Sequence, residues 1–286
     1  MVDASRGDRR FQRIAIGLAV ENGLRNGYHD RTIDELYENP SSDKIAKTYR
    51  RLISSDTLQE REIALWLELG LYQEPATFPD ITELLRRIRE TEAVLYALLG
   101  HTGLIMTQHL NNWLNYVANA GESINTGFWI DAKAYMGRAV EAADETLCNV
   151  GSADPKMLYD LDILRSETRR DYEELLKASF RLKLPEDALN QILAVQEPLI
   201  RILRRLTEVD HKDPGLLFLA DRLTIAERAL LQEMPDIQNA VESVTQAIGR
   251  IENQIPTLQD ETIRRRFERT LRELKEVQET LETPLK

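Results

Sequence analysis

The chain has 286 residues, 42% apolar and 30% charged, a composition that suits a folded protein with a sizeable core and excludes a wholly disordered one. Thirteen Gly and ten Pro are few for a strand-rich fold, and helix formers (Leu, Glu, Ala and Arg) dominate instead. A net charge of −11 excludes a protein that coats nucleic acid over its whole surface, and the single Cys148 excludes an internal disulfide framework or a Cys-based zinc site.

The charge is uneven along the chain: residues 1–55 carry a net +2, residues 56–150 a net −8 and the remainder a net −5. At the N-terminus basic residues precede a short apolar stretch, but Glu21 and Asn22 interrupt it. It is therefore a poor secretory leader, and a cytoplasmic location is expected. Asn39-Pro40-Ser41, the one Asn-x-Ser match, is blocked by its proline. Arg6-Gly7-Asp8 is a tripeptide too short to carry an inference.

Four short helices are predicted near 8–26, 30–38, 42–54 and 56–73. Thr32–Leu52 reads as helix, tight turn, helix, and its second helix carries Lys44, Lys47, Arg50 and Arg51, with Ile45, Tyr49 and Leu52 available to a core. That layout resembles a helix-turn-helix recognition unit in a generic way, although its turn lacks the frequent glycine. It implies DNA binding as an alternative function. A solvated basic face is the plainer explanation.

The helices lengthen after Gln73–Pro79, where a boundary is expected between a short-helix block (1–75) and a long-helix bundle (76–286). Longer helices are predicted near 80–120, 128–150, 155–182, 186–209, 214–233, 236–254 and 257–282. Their starts are marked by Pro and Asp at Pro79-Asp80, Asp154-Pro155, Pro185-Glu186, Asp213-Pro214, Pro235-Asp236 and Pro256-Thr257. Asp80/Glu83 and Thr57/Glu60 have the spacing of a capping box. Pro198 predicts a kink or break within 186–209.

Residues 93–121 hold no Asp, Glu, Lys or Arg, and Glu122 is the only charge up to Ile130. Met106, Leu110, Trp113 and Val117 make an apolar stripe, while Gln108, Asn112, Asn115 and Asn119 offer neutral amides on another side. A solvated helix face normally carries ions. Neutral amides point to burial inside the bundle or to a partner surface, with Gln108, Asn112, Trp113, Asn115, Val117 and Asn119 as interface candidates. Membrane association through 93–130 is a further alternative, although only about the first fourteen residues are strongly apolar and a span needs about 20.

The segments opened by Asp154-Pro155 and Asp213-Pro214 match at six of sixteen positions, which fits either shared capping and apolar phase or a duplicated hairpin near 154–254. In the last segment Ile263, Phe267, Leu271, Leu274 and Leu281 form one stripe. Glu261/Arg265 and Glu268/Arg272 stand four apart beside it, and Arg264, Arg265 and Arg266 read as an ion-paired face.

Catalytic signatures are missing. His101 and His109 have no carboxylate between them, His29 and His211 fall in predicted loops, and HExxH, phosphate-binding glycine loops and GxSxG do not occur. No catalytic residue, metal ligand or cofactor is assigned, and no enzyme activity is expected. The reading is an all-α protein, either an elongated multi-helix bundle or stacked helical hairpins with a small N-terminal helical block. It would act as a structural or adaptor protein through self-association or binding to another protein.

Overall fold

The computed structural model describes residues 9–28, 30–71, 80–100, 104–150, 154–178, 184–210, 214–232 and 234–283. Among these there are twelve α-helices, one 3-10 turn and no strand, so the chain is all-α. The Gln73–Pro79 boundary, Arg6-Gly7-Asp8, His29, His101, His211 and the Asp213 cap lie outside the described residues.

The helices are α1 (Arg9–Arg25), α2 (Arg31–Glu38), α3 (Ser42–Ile53), α4 (Leu58–Leu69), α5 (Ile81–Leu99) and α6 (Leu104–Asn125). They continue with α7 (Trp129–Asn149), α8 (Pro155–Lys177), α9 (Glu186–Asp210), α10 (Pro214–Leu230), α11 (Ile237–Gln254) and α12 (Glu261–Glu282). Several predicted caps hold: Asp80 accepts from the N–H groups of Thr82 and Glu83, Asp154 from Lys156, and Asp236 from Asn239. Thr57 makes no side-chain cap bond, so the second capping box is not formed; Ser55 Oγ instead accepts from the Thr57 N–H at 3.1 Å.

Three boundaries differ from the periodicity. The helix predicted over 80–120 is two helices, because α5 stops at Leu99 with Gly100 as its cap. Pro198 does not break α9, which continues from Glu186 to Asp210. A proline removes only the bond to the carbonyl four residues back, and the rest of the helix can hold it. Finally, α12 starts at Glu261 and not at 257. Pro256 sits in a 3-10 turn, while Asp260 accepts from the N–H groups of Thr262 and Ile263.

The chain divides into two compact units, Met1–Gln73 with Arg181–Lys286, and Glu74–Phe180. In the first, α1 packs against α2, α4 and α9. Helix α10 packs on α9 and α11, and α12 on α9 and α11. Residues 11–24 of α1 are all buried except Arg13, so this helix is enclosed. The α12 stripe supplies Phe267, Leu274 and Leu281 to the core, with Ile263 and Leu271 half-buried. Arg264 and Arg265 both pair with Glu261, as an ion-paired face predicts.

The second unit is a ring of four helices in which α5, α6, α7 and α8 pack in sequence and α8 returns to α5. Arg87, early in α5, donates to Asp171 (2.8 Å) and Glu174 (2.5 Å), late in α8, so these two helices run antiparallel. Asp171 is almost fully enclosed, and its burial raises its pKa above the usual aspartate value while Arg87 opposes the rise. The segments that begin at Asp154 and after Asp213 open α8 and α10, which belong to different units.

Candidate functional site

Helix α6 is divided lengthwise. Leu110, Trp113, Val117, Ala120 and Ile124 are buried, and Trp113 donates its indole N–H to Thr168 Oγ1 of α8 at 3.3 Å. That hydroxyl in turn donates to the Leu164 carbonyl at 2.8 Å. Two of the six interface candidates, Trp113 and Val117, are therefore core. The other four, Gln108, Asn112, Asn115 and Asn119, are exposed, and Asn111 joins them. The face with neutral amides is an outer face of the four-helix ring.

The same end of this unit exposes apolar side chains. Tyr96 of α5 is 73% exposed and Tyr159 of α8 is 68% exposed, with Val94 and Ile163 also open to solvent. Because α5 and α8 are antiparallel, the end of α5 and the start of α8 lie at one end of the ring. The start of α6, with Gln108, Asn111 and Asn112, follows α5 at that end. Sequence periodicity could flag the amides, but Tyr96 and Tyr159 read as ordinary members of amphipathic helices.

The basic residues of α3 are arranged as a face. Lys44, Lys47, Arg50 and Arg51 are exposed, whereas Ile45, Thr48 and Leu52 are buried and Tyr49 is half-buried. Arg51 is engaged: it pairs with Asp30, which also accepts from the Thr32 N–H at 2.8 Å and from the Tyr28 hydroxyl at 3.1 Å. Lys44, Lys47 and Arg50 make no ion pair among the described residues.

A third cluster has no counterpart in the sequence reading. Glu21 of α1 is 3% exposed and Glu227 of α10 is 0% exposed, and their carboxyl groups lie within hydrogen-bonding reach of each other. No N–H or O–H donor among the described residues reaches any of the four oxygens. Burial raises Glu21 to about 7, and it raises Glu227 well above the usual glutamate value, with the charge of Glu21 adding to the rise. Earlier along α1, the buried amide of Gln196 donates to the Ile14 carbonyl at 2.8 Å, and Gln12 donates to Ser42 Oγ at 2.8 Å. Gly17 makes room for Gln196: a Cβ there would lie 2.5 Å from its Oε1. The available signal was a carboxylate inside an otherwise apolar helix, which reads first as an interruption of the apolar stretch.

Among the described residues, no group of three or more His, Cys, Asp or Glu is placed to hold a metal ion. No described helix is long and apolar enough to cross a membrane. No protein-family model, curated protein or solved structure matches the chain.

Proposed function

We propose that this chain is a non-catalytic structural or adaptor protein that associates with copies of itself through the outer face of α6. The observation that carries this reading is the row Gln108, Asn111, Asn112, Asn115 and Asn119, exposed on a helix with no charge from 104 to 121. Each amide carries both a donor and an acceptor, so one such row can pair with an identical row across a two-fold axis. The exposed Tyr96 and Tyr159 would add aromatic anchors of the kind that carry binding energy at protein contacts. The row itself carries no charged side chain, so pairing it with its copy desolvates no ion of the row.

Solution mass by light scattering over about a hundredfold range of concentration tests this proposal. A discrete oligomer that dissociates on dilution, and is lost in Asn112→Arg/Asn115→Arg with the melting curve intact, is the expected result. A monomer at every concentration contradicts it.

Lys44, Lys47 and Arg50 favour a second reading, because each is an exposed cation without an ion pair among the described residues. Nucleic-acid binding through α3 predicts a salt-dependent association that weakens when the three are replaced by Ala. Equal retention of duplex DNA by the triple variant would exclude it.

A further inference from the structure

The Glu21–Glu227 pair is placed where two negative charges cannot both be sustained. Each carboxyl group is enclosed, each faces the other, and none of the four oxygens receives a hydrogen bond from an N–H or O–H donor among the described residues. Surrounding charge does not replace that missing solvation by contact. Arg25 donates to Asp221 at 3.2 Å and to Asn22 Oδ1 at 2.8 Å, and the Arg228 guanidinium lies 5.3 Å from the centre of the Trp66 ring. Both arginines lower the Glu21 pKa through space, by less than burial raises it.

The other elements packed against α1 and α10 bring little that would neutralise the pair. Helix α2 brings Tyr37, whose phenol lies close to the Arg13 guanidinium, and α9 brings Glu197, which is felt at Tyr37 together with Glu227. Helix α4 brings the buried carboxylates Glu62 and Glu68, each with partners of its own, and Arg61. Helix α11 buries no ionisable side chain.

We propose that Glu21 and Glu227 share a proton that holds α10 to α1 beside α9, the helix both pack on, so that this unit is a proton-operated switch, closed while the pair holds the proton and loosened when it is lost. The pair titrates in two steps: with one proton left, a carboxyl O–H donates to the opposing carboxylate, and removal of that last proton leaves two facing anions without donors. Both groups release their protons at higher pH in the folded chain than in the unfolded one. Their contribution to stability is therefore complete below the ordinary glutamate value near 4.5 and declines as pH rises through about 7, where Glu21 ionises. Loss of the last proton, from Glu227 in this geometry, extends the decline to more alkaline pH.

The test combines two readouts on the full chain, the melting temperature from about pH 5 to about pH 9 and the infrared absorption of protonated carboxyl groups at neutral pH. The wild type is expected to melt lower as pH rises and to show a protonated carboxyl at pH 7. In Glu21→Gln/Glu227→Gln that absorption disappears, and the dependence of melting on pH falls by about half or more. Single Glu227→Gln, whose amide can donate to Glu21, supplies the same comparison if the double variant does not fold. An unchanged infrared band, or an unchanged pH dependence in the variants that fold, would overturn the proposal.

Discussion

Helices α1 and α6 end in the same way and have opposite surroundings. Gly27 and Gly127 both take positive φ, 72° and 80°, a conformation that costs glycine little. The next residue then closes back onto the last turn, with the Tyr28 N–H donating to the Gly23 carbonyl at 2.8 Å and the Phe128 N–H to the Ser123 carbonyl at 2.7 Å. Between its ends α1 carries Gln12, Glu21 and Asn22 and still buries every residue from 11 to 24 except Arg13. Helix α6 has no charge from 104 to 121 and still leaves a row of amides in water. Charge content did not decide burial in either case. The packing partners did: α1 is covered by α2, α4 and α9, whereas α6 lies between α5 and α7 with one side open.

The largest effect that should sharpen this contrast is on the buried side of α6. Trp113→Ala removes a fully enclosed indole and leaves Thr168 without its donor, which should cost about 3–5 kcal/mol by chemical denaturation. Arg87→Ala comes next, at about 3 kcal/mol, because Asp171 would stay enclosed without its guanidinium partner. Arg87→Lys should recover part of that loss, since a lysine supplies the charge but not both bonds at once.

Helix α1 offers a smaller and more specific test. Gly17→Ala sets a methyl group against the buried Gln196 amide and should cost about 1–3 kcal/mol, measured by denaturant melts. Combined with Gln196→Ala the two costs should add to less than their sum, because the second change removes the side chain that the first one strikes. Full additivity would show that Gly17 is small for some other reason. The smallest effect belongs to the open side of α6, where Asn115→Arg should change stability by no more than about 0.5 kcal/mol. A large loss there would mean that the row is already engaged within one chain.

How far the sequence discloses these features follows from how local each signal is. Asp80, Asp154, Asp236 and Asp260 act on N–H groups two or three residues away, so helix starts are readable from adjacent residues, although Pro256-Thr257 marks a 3-10 turn and Asp260 makes the start of α12. The end of α5 was hidden because Gly100 sits within an uninterrupted uncharged run, and apolar periodicity continues across it. The amides of α6 stood out as a pattern, but the same pattern fits a buried helix and an open one. Periodicity sets Trp113 and Val117 on a different side from Asn112, Asn115 and Asn119, and only the fold shows that the first side is core and the second open. The Glu21–Glu227 pair was not legible at all, because its two halves lie near opposite ends of the chain and each alone resembles an ordinary helical glutamate. The packing of α9 on α1, which returns residues 181–286 to the N-terminal unit, likewise leaves no mark on neighbouring residues.

The central claim is that the open face of α6 is a contact surface between copies, and the hydrogens on its own side chains report on it most directly. In protein with labelled Asn and Gln, exchange of the side-chain amide hydrogens of Asn112, Asn115 and Asn119 with water can be followed by NMR at high and low protein concentration. Exchange that slows at these three as concentration rises, and stays fast at the exposed Asn239, is the predicted result. Equally fast exchange at every concentration would contradict it, and α6 would then be a helix that simply presents uncharged amides to solvent.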